Sequence, residues 1–223
     1  MSAARLIPYT AYQEYPVDEM RRRAATLRLD MQRRRTVRSF SSRPVPKEII
    51  EDCLLVAGSA PNGANLQPWH FVVVSNPTVK RQIREAAERE EREFYQRRAS
   101  EEWLEALASL GTGEHKPFVE TAPYVIAVFA QSHRHLPDGR KASNYYVTES
   151  VGIAVGMLVT AIHQAGLVSL TYTPNPMGFL RTLLGRPSTE RPYLLLVVGY
   201  PADDAMVPEI SRKSLDEIAT FLE

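Results

Sequence analysis

Four short apolar runs constrain this chain more than any other feature: "HFVVVS" (70–75), "YVIAVFA" (124–130), "LVSLTYTP" (167–174) and "YLLLVVGYP" (193–201). Each has the length and β-branched content of one strand, and none is long enough to span a bilayer as a helix. Because "HFVVVS" is unbroken rather than alternating, it predicts a strand buried on both faces. Helical segments separate the runs, in the order helix, strand, helix, strand, helix, strand, helix, strand. That order predicts one layered domain in which helices cover a sheet. The 223 residues, 44% of them hydrophobic, supply the core such a unit needs.

The helical segments differ in character. Residues 18–35 are dense in arginine, and "RRRTVRSF" breaks them. Pro46 suits the first turn of the next helix, whose apolar stripe is Ile49, Ile50, Cys53, Leu54, Val56 and Ala57. Asn76-Pro77 turns the chain into a long charged helix over 78–98, where Glu85/Arg89, Glu88/Arg92 and Glu93/Arg97 stand at four-residue spacing. Such pairs contribute only about 0.2–0.5 kcal/mol each. A weaker segment over 103–110 leads into "GTGEHKP". Residues 144–165 are apolar nearly all round, which fits the centre of a domain or a subunit interface. "FLRTLLGRP" reads as a short helix, and the tail as a basic loop closed by another.

Charge and motif content exclude several functions. Twenty-seven basic against 26 acidic side chains leave +1, so no global field recruits nucleic acid or an anionic membrane. The opening "MSAARLIPYTAYQEYPVDEM" is neither signal peptide nor membrane anchor, and a soluble, cytoplasmic protein is expected. The single cysteine, Cys53, excludes internal disulfides and reads as a core residue. "HRHLPDGRK" reads as a loop; its His133 and His135 lack a third ligand at suitable spacing, so no metal is expected.

Three constellations remain. "RRTVR" sets Arg34, Arg35, Thr36 and Arg38 at a helix break, where guanidiniums and a hydroxyl can grip a terminal phosphate; a solvated basic turn is the competing reading. Arg212, in "SRKS", is a further candidate. Glu91 and Tyr95 share a helix face, with Cβ atoms roughly 5–6 Å apart. With Lys116 they offer the complement of an amino acid's zwitterionic end, although unrelated surface residues would look the same. "SAPNGANLQPW" (59–69) is a loop of small residues that admits close approach to its backbone, yet it lacks a phosphate-loop lysine and spaced glycines. With no nucleophile or metal motif elsewhere, a cofactor must supply any chemistry, and the arginine cluster points to flavin mononucleotide, FMN.

These motifs, in their order, carry a resemblance. "RRTVRSF…VP…II…AGSAPNGANLQPWHFVVV", "AGLVSLTYTP", "LLGRP" and "VVGYP" resemble the nitroreductase-like flavoproteins, and "EREFYQRR…W…HKPFVETAP" is similar to the active-site lid of their iodotyrosine deiodinase subgroup. The resemblance runs nearly ungapped over 31–218. It implies an α+β fold with a central mixed sheet flanked by helices, in a domain-exchanged homodimer holding FMN at two interfacial sites. The chain would be one domain over 1–223, with 1–30 an N-terminal extension and 88–117 a lid.

Residue by residue, the resemblance assigns Arg34, Arg35, Thr36, Arg38 and Arg212 to the FMN phosphate and ribityl end. It assigns Pro61 and Asn62 to the flavin of the other subunit, and Thr171, Tyr172 and Thr173 to the ring, with the Thr173 hydroxyl in the catalytic position at N5. Glu91, Tyr95 and Lys116 match the residues that grip a halotyrosine zwitterion, and Ala64 the backbone amide that meets its phenolate. Asn62 and Tyr172 depart from the serine and threonine usual in the animal enzymes. The implied activity is reductive dehalogenation of 3-iodotyrosine and other halotyrosines, with electrons from a reductase or NAD(P)H. The alternative is a general NAD(P)H-dependent nitroreductase or quinone reductase.

Overall fold

A computed structural model describes residues 4–222 except 109, together with all their side chains but that of Ala106. Residues up to 34 form a unit by themselves. Its helix α1 (Val17–Arg33) buries nothing and carries surface pairs, such as Arg22 and Arg23 on Glu19. The second unit begins at Arg35 and contains the sheet.

Proline and asparagine set the helix starts there. Pro46 precedes α2 (Lys47–Gly58), and Asn76 caps α3 (Pro77–Glu93) by accepting from the N–H groups of Thr78 and Val79. Strand β1 (Trp69–Val74) lies between them. After α3 come a π-helical turn (Phe94–Arg98), α4 (Glu101–Ala108) and the one-turn α5 (Phe118–Thr121). Then follow β2 (Tyr124–Gln131), β3 (His133–His135), β4 (Lys141–Ser143), α6 (Val147–Gln164) and β5 (Val168–Tyr172). The chain closes with α7 (Gly178–Leu183), β6 (Glu190–Gly199) and α8 (Leu215–Ile218).

The sheet has the order β1-β2-β6-β5 and every neighbouring pair is antiparallel. The mixed sheet implied by the resemblance is therefore corrected for the named strands; the parallel element is one bridge, Thr36 to Ser169. An apolar run marks a strand but carries nothing about its partner's direction. Side-chain parity divides the core. Val125, Ala127 and Phe129 of β2 and Leu195 and Val197 of β6 meet Ile83 of α3, Phe118 of α5 and Leu180 of α7. The intervening Ile126, Val128, Leu194 and Leu196 meet Ile50 and Cys53 of α2 and Val151, Leu158 and Ile162 of α6. Cys53 is thus a core residue.

Three other expectations change. "HFVVVS" makes an edge strand whose Val73 is 38% exposed, because only β2 flanks it. "HRHLPDGRK" is no loop: His133, Arg134 and His135 pair with Ser143, Ala142 and Lys141 in a hairpin, whose turn uses Gly139 at φ +83°. Glu88 turns to Arg84 (2.7 Å), not to Arg92, because its helix face is buried. Helix α6 is long and apolar enough to cross a membrane by length and composition, yet its buried side packs in the core while Ile153 stays 45% exposed.

Candidate active site

Where α3 gives way to the π-helical turn, its cavity-facing side chains meet the end of β5 around a cavity of about 420 Å³. Glu91 and Tyr95, one helical turn apart, both line it, as do Lys116, Trp103, Thr112 and Phe118. Phe94 packs edge-on against both Tyr95 and Trp103, at centroid distances of 5.5 and 4.9 Å, and so ties the π turn to α4.

The lysine arrives from 25 residues along the chain. Lys116 Nζ lies 3.3 Å from Glu91 Oε2 and donates to Thr112 Oγ1 at 3.2 Å. Its backbone N–H donates to Glu88 Oε1 at 2.8 Å, which fixes where the side chain starts. Both charged residues are buried, Lys116 at 3% exposure and Glu91 at 9%. Burial lowers the Lys116 pKa, with Glu91 opposing, and burial raises that of Tyr95. A carboxylate and an ammonium, both lifted out of water, and a phenol thus stand together in the cavity, with charges and donors complementary to those of a zwitterion.

Other residues of the lining carry donors. Residues 35–40 run beside β5, joined by the Thr36–Ser169 bridge and by Val37 N–H to the Ser169 carbonyl (3.4 Å). Alternation buries Val37 and turns Arg38 into the cavity. Burial lowers the pKa of its guanidinium, which has no carboxylate partner among the described residues. Thr171 and Thr173 line the same cavity and are exposed. Between them Tyr172 points inward: its ring meets Phe118 edge-on at 5.6 Å, and Lys116 Nζ lies 5.2 Å from the ring centroid. Burial, then the Glu91 charge and the approach of the Glu91 carboxylate to the hydroxyl, push its phenol well above the ordinary range, although the hydroxyl makes no hydrogen bond of good geometry.

The other expected residues lie elsewhere. Arg34 belongs to the N-terminal unit, where its N–H caps α1 on the Met31 carbonyl. Arg35 donates to the Pro208 carbonyl. Arg212 is exposed and lines neither this cavity nor a smaller one shared by Arg38 and Pro208. Pro61, Asn62 and Ala64 are also outside the cavity. Their loop abuts the start of α6, where a Cβ on Gly63 would sit 2.9 Å from the Tyr145 carbonyl oxygen. Ala64, Asn65 and Gln67 have φ of 51°, 53° and 48°, a conformation that costs non-glycine residues about 1–2 kcal/mol each. Asn62 braces it by accepting from Gln67 N–H (2.8 Å) and donating to the Ala60 carbonyl (3.0 Å).

Residues 31–200 match the model of the nitroreductase family. The chain belongs to that family. It is 56% identical to an iodotyrosine deiodinase of Haliscomenobacter hydrossis, over 93% of each chain. It is 45% identical to the iodotyrosine deiodinase of Danio rerio, covering 97% of this chain and 73% of that protein. Among solved structures, oxidized iodotyrosine deiodinase bound to FMN and 3-iodo-L-tyrosine matches with a TM-score of 0.74 and 35% identity, over 87% of this chain and 100% of that one.

The wall of this nitroreductase's cavity fits a flavin mononucleotide. Arg38 offers a guanidinium with no carboxylate partner among the described residues for phosphate or ribityl oxygens, and the exposed Thr171 and Thr173 offer hydroxyls for a heteroaromatic ring. Sequence reasoning missed Phe118, Trp103 and Thr112, whose types are too common to mark a site. It also missed Glu88 as the residue that seats Lys116. Its place one turn before Glu91 was the available signal.

Proposed function

We propose that this protein is an FMN-dependent iodotyrosine deiodinase, which converts 3-iodotyrosine and other halotyrosines to tyrosine and halide. The observation that carries the reading is the buried Glu91–Lys116 pair with Tyr95 in a cavity whose lining also bears Arg38, Thr171 and Thr173. The 56% identical relative of that name supports it.

FMN, when bound, supplies the two electrons that, with one proton, replace the carbon–halogen bond by carbon–hydrogen. Arg34, Arg35, Thr36, Arg38 and Arg212 would hold its phosphate and ribityl end, and Thr171 and Thr173 its ring. The protein's own task is selection. Glu91 takes the substrate ammonium while Lys116 and Tyr95 take the carboxylate, so the ion pair of the free protein opens into two pairs. Residues 88–117 then act as a lid that excludes water from the ring. The Ala64 amide receives the phenolate, which favours halotyrosines because their phenols are more acidic than that of tyrosine. Since Pro61, Asn62 and Ala64 lie outside this cavity in one chain, a second copy supplies them, and the working form is a homodimer. We place it in the cytoplasm, with a reductase or NAD(P)H as electron source.

The test is anaerobic. Flavin reduced with dithionite should reoxidise on addition of 3-iodotyrosine, with one tyrosine formed per flavin. Absence of turnover sinks the reading. Rapid direct reduction by NAD(P)H without halotyrosine turnover would make the protein a general nitroreductase instead.

A further inference from the structure

Among the described residues, the Tyr172 hydroxyl is the one buried side-chain polar atom with no hydrogen-bond partner. Leaving a buried hydroxyl unsatisfied is unfavourable, and phenylalanine would fill the same space against Phe118 without that penalty. The residue is only 7% exposed and lines the cavity. Around it stand the two halves of the ion pair: Lys116 Nζ above the ring, and Glu91, the largest charged influence on the phenol. Strand alternation turns this side chain away from Thr171 and Thr173, so it faces the lid residues rather than the wall that suits the flavin.

We propose that Tyr172 is the positioning residue for Glu91, donating its O–H to the Glu91 carboxylate once a substrate zwitterion has drawn Lys116 away, and that it thereby selects substrates bearing an α-ammonium. This rests on the halotyrosine reading. In the free protein Glu91 is held by Lys116 at 3.3 Å. When the substrate carboxylate takes Lys116, Glu91 remains buried, and a carboxylate is an acceptor only, with several lone-pair sites to fill. The substrate ammonium fills some of them. Tyr172 is a donor already desolvated beside it. Burial and the neighbouring anion keep that phenol protonated, so it stays a donor and never becomes a competing anion.

The test compares 3-iodotyrosine with 3-(4-hydroxy-3-iodophenyl)propionate, which lacks only the ammonium, by quenching of FMN fluorescence in the holoprotein. Tyr172→Phe should raise the Kd for 3-iodotyrosine at least about tenfold, the effect of losing one hydrogen bond to a charged group. It should leave the propionate within about twofold, since without an ammonium to replace Lys116 at the buried Glu91 the ion pair stays closed and Tyr172 is not engaged. In a Glu91→Gln background the same substitution should add little, because the two act as a unit. Equal losses for both ligands, no loss for either, or full additivity with Glu91→Gln would overturn the proposal. A second measurement covers a variant that fails to fold: 3-fluorotyrosine at position 172 should show a ¹⁹F shift on adding 3-iodotyrosine but not the propionate, and an unmoved resonance overturns the proposal. If the wild-type holoprotein binds no 3-iodotyrosine, the functional reading itself has failed; if it binds and Tyr172→Phe behaves as wild type, only this inference has.

Discussion

Helix α3 carries two buried polar clusters on successive turns, and they are finished to different degrees. In the first, Lys80 Nζ donates to the carbonyls of Glu120 (2.8 Å) and Ala122 (2.6 Å), and Arg84 pairs with Glu88 and Glu120. Glu88 also accepts the Lys116 N–H, so the cluster ties α3 to the residues around α5. In the second, Glu91 and Lys116 share one contact at 3.3 Å, and Tyr172 beside them has an unpartnered hydroxyl. Both contain a buried lysine whose pKa burial lowers. Burial and a shifted pKa therefore do not distinguish them. What does is unused hydrogen-bonding capacity, which a structural cluster consumes and a binding cluster keeps for its ligand.

The contrast breaks most visibly at Glu88. Glu88→Ala takes the buried acceptor from the Lys116 N–H and one of the two carboxylate partners from Arg84, and should destabilise the fold by about 1–3 kcal/mol in urea unfolding. A loss below about 1 kcal/mol would mean the first cluster is not structural. Lys116→Ala and Glu91→Gln should instead weaken 3-iodotyrosine binding by roughly 10- to 100-fold, the value of a charged hydrogen bond, with FMN retained. Each single change leaves the other charge buried and unpaired, so stability is compared in Glu91→Gln/Lys116→Met, whose unfolding midpoint should hold; a fall matching that of Glu88→Ala would erase the difference between the clusters.

The smallest effect is a pH dependence. Lys80 and Lys116 have lowered pKa values in the folded protein, so the unfolded chain binds the extra protons. Stability should then rise with pH in the range below the ordinary lysine value of about 10.4. Tyr172 is raised, so above the ordinary tyrosine value of about 10 the unfolded phenol ionises first and stability should fall again. Urea midpoints measured across this range should pass through a maximum, and Tyr172→Phe should flatten the falling limb. A monotonic profile, or one unchanged in the variant, would contradict these assignments.

Much of the site was legible because its signals are local. Glu91 and Tyr95 are one helical turn apart, and both line the cavity. The "RRTVR" stretch was legible as a phosphate candidate, but alternation along 35–40 sends Arg38 into the cavity and Val37 into the core, while Arg35 reaches the Pro208 carbonyl. The small residues at 59–69 suit a ligand loop. Gly63 has a structural reason as well, the close approach of the Tyr145 carbonyl.

The sequence by itself determined where the strands and most helices lie, because periods of two and of about 3.6 residues, proline and asparagine caps, and β-branched runs act over a few residues. Tertiary structure alone decided which strand became the edge, that the named strands pair antiparallel, and that "HRHLPDGRK" folds as a hairpin. It also decided that Lys116 would meet Glu91 and that Tyr172 would face them with its hydroxyl unpartnered. These outcomes depend on contacts between residues far apart in the chain, each worth little alone, whose sum is fixed only when the whole core packs.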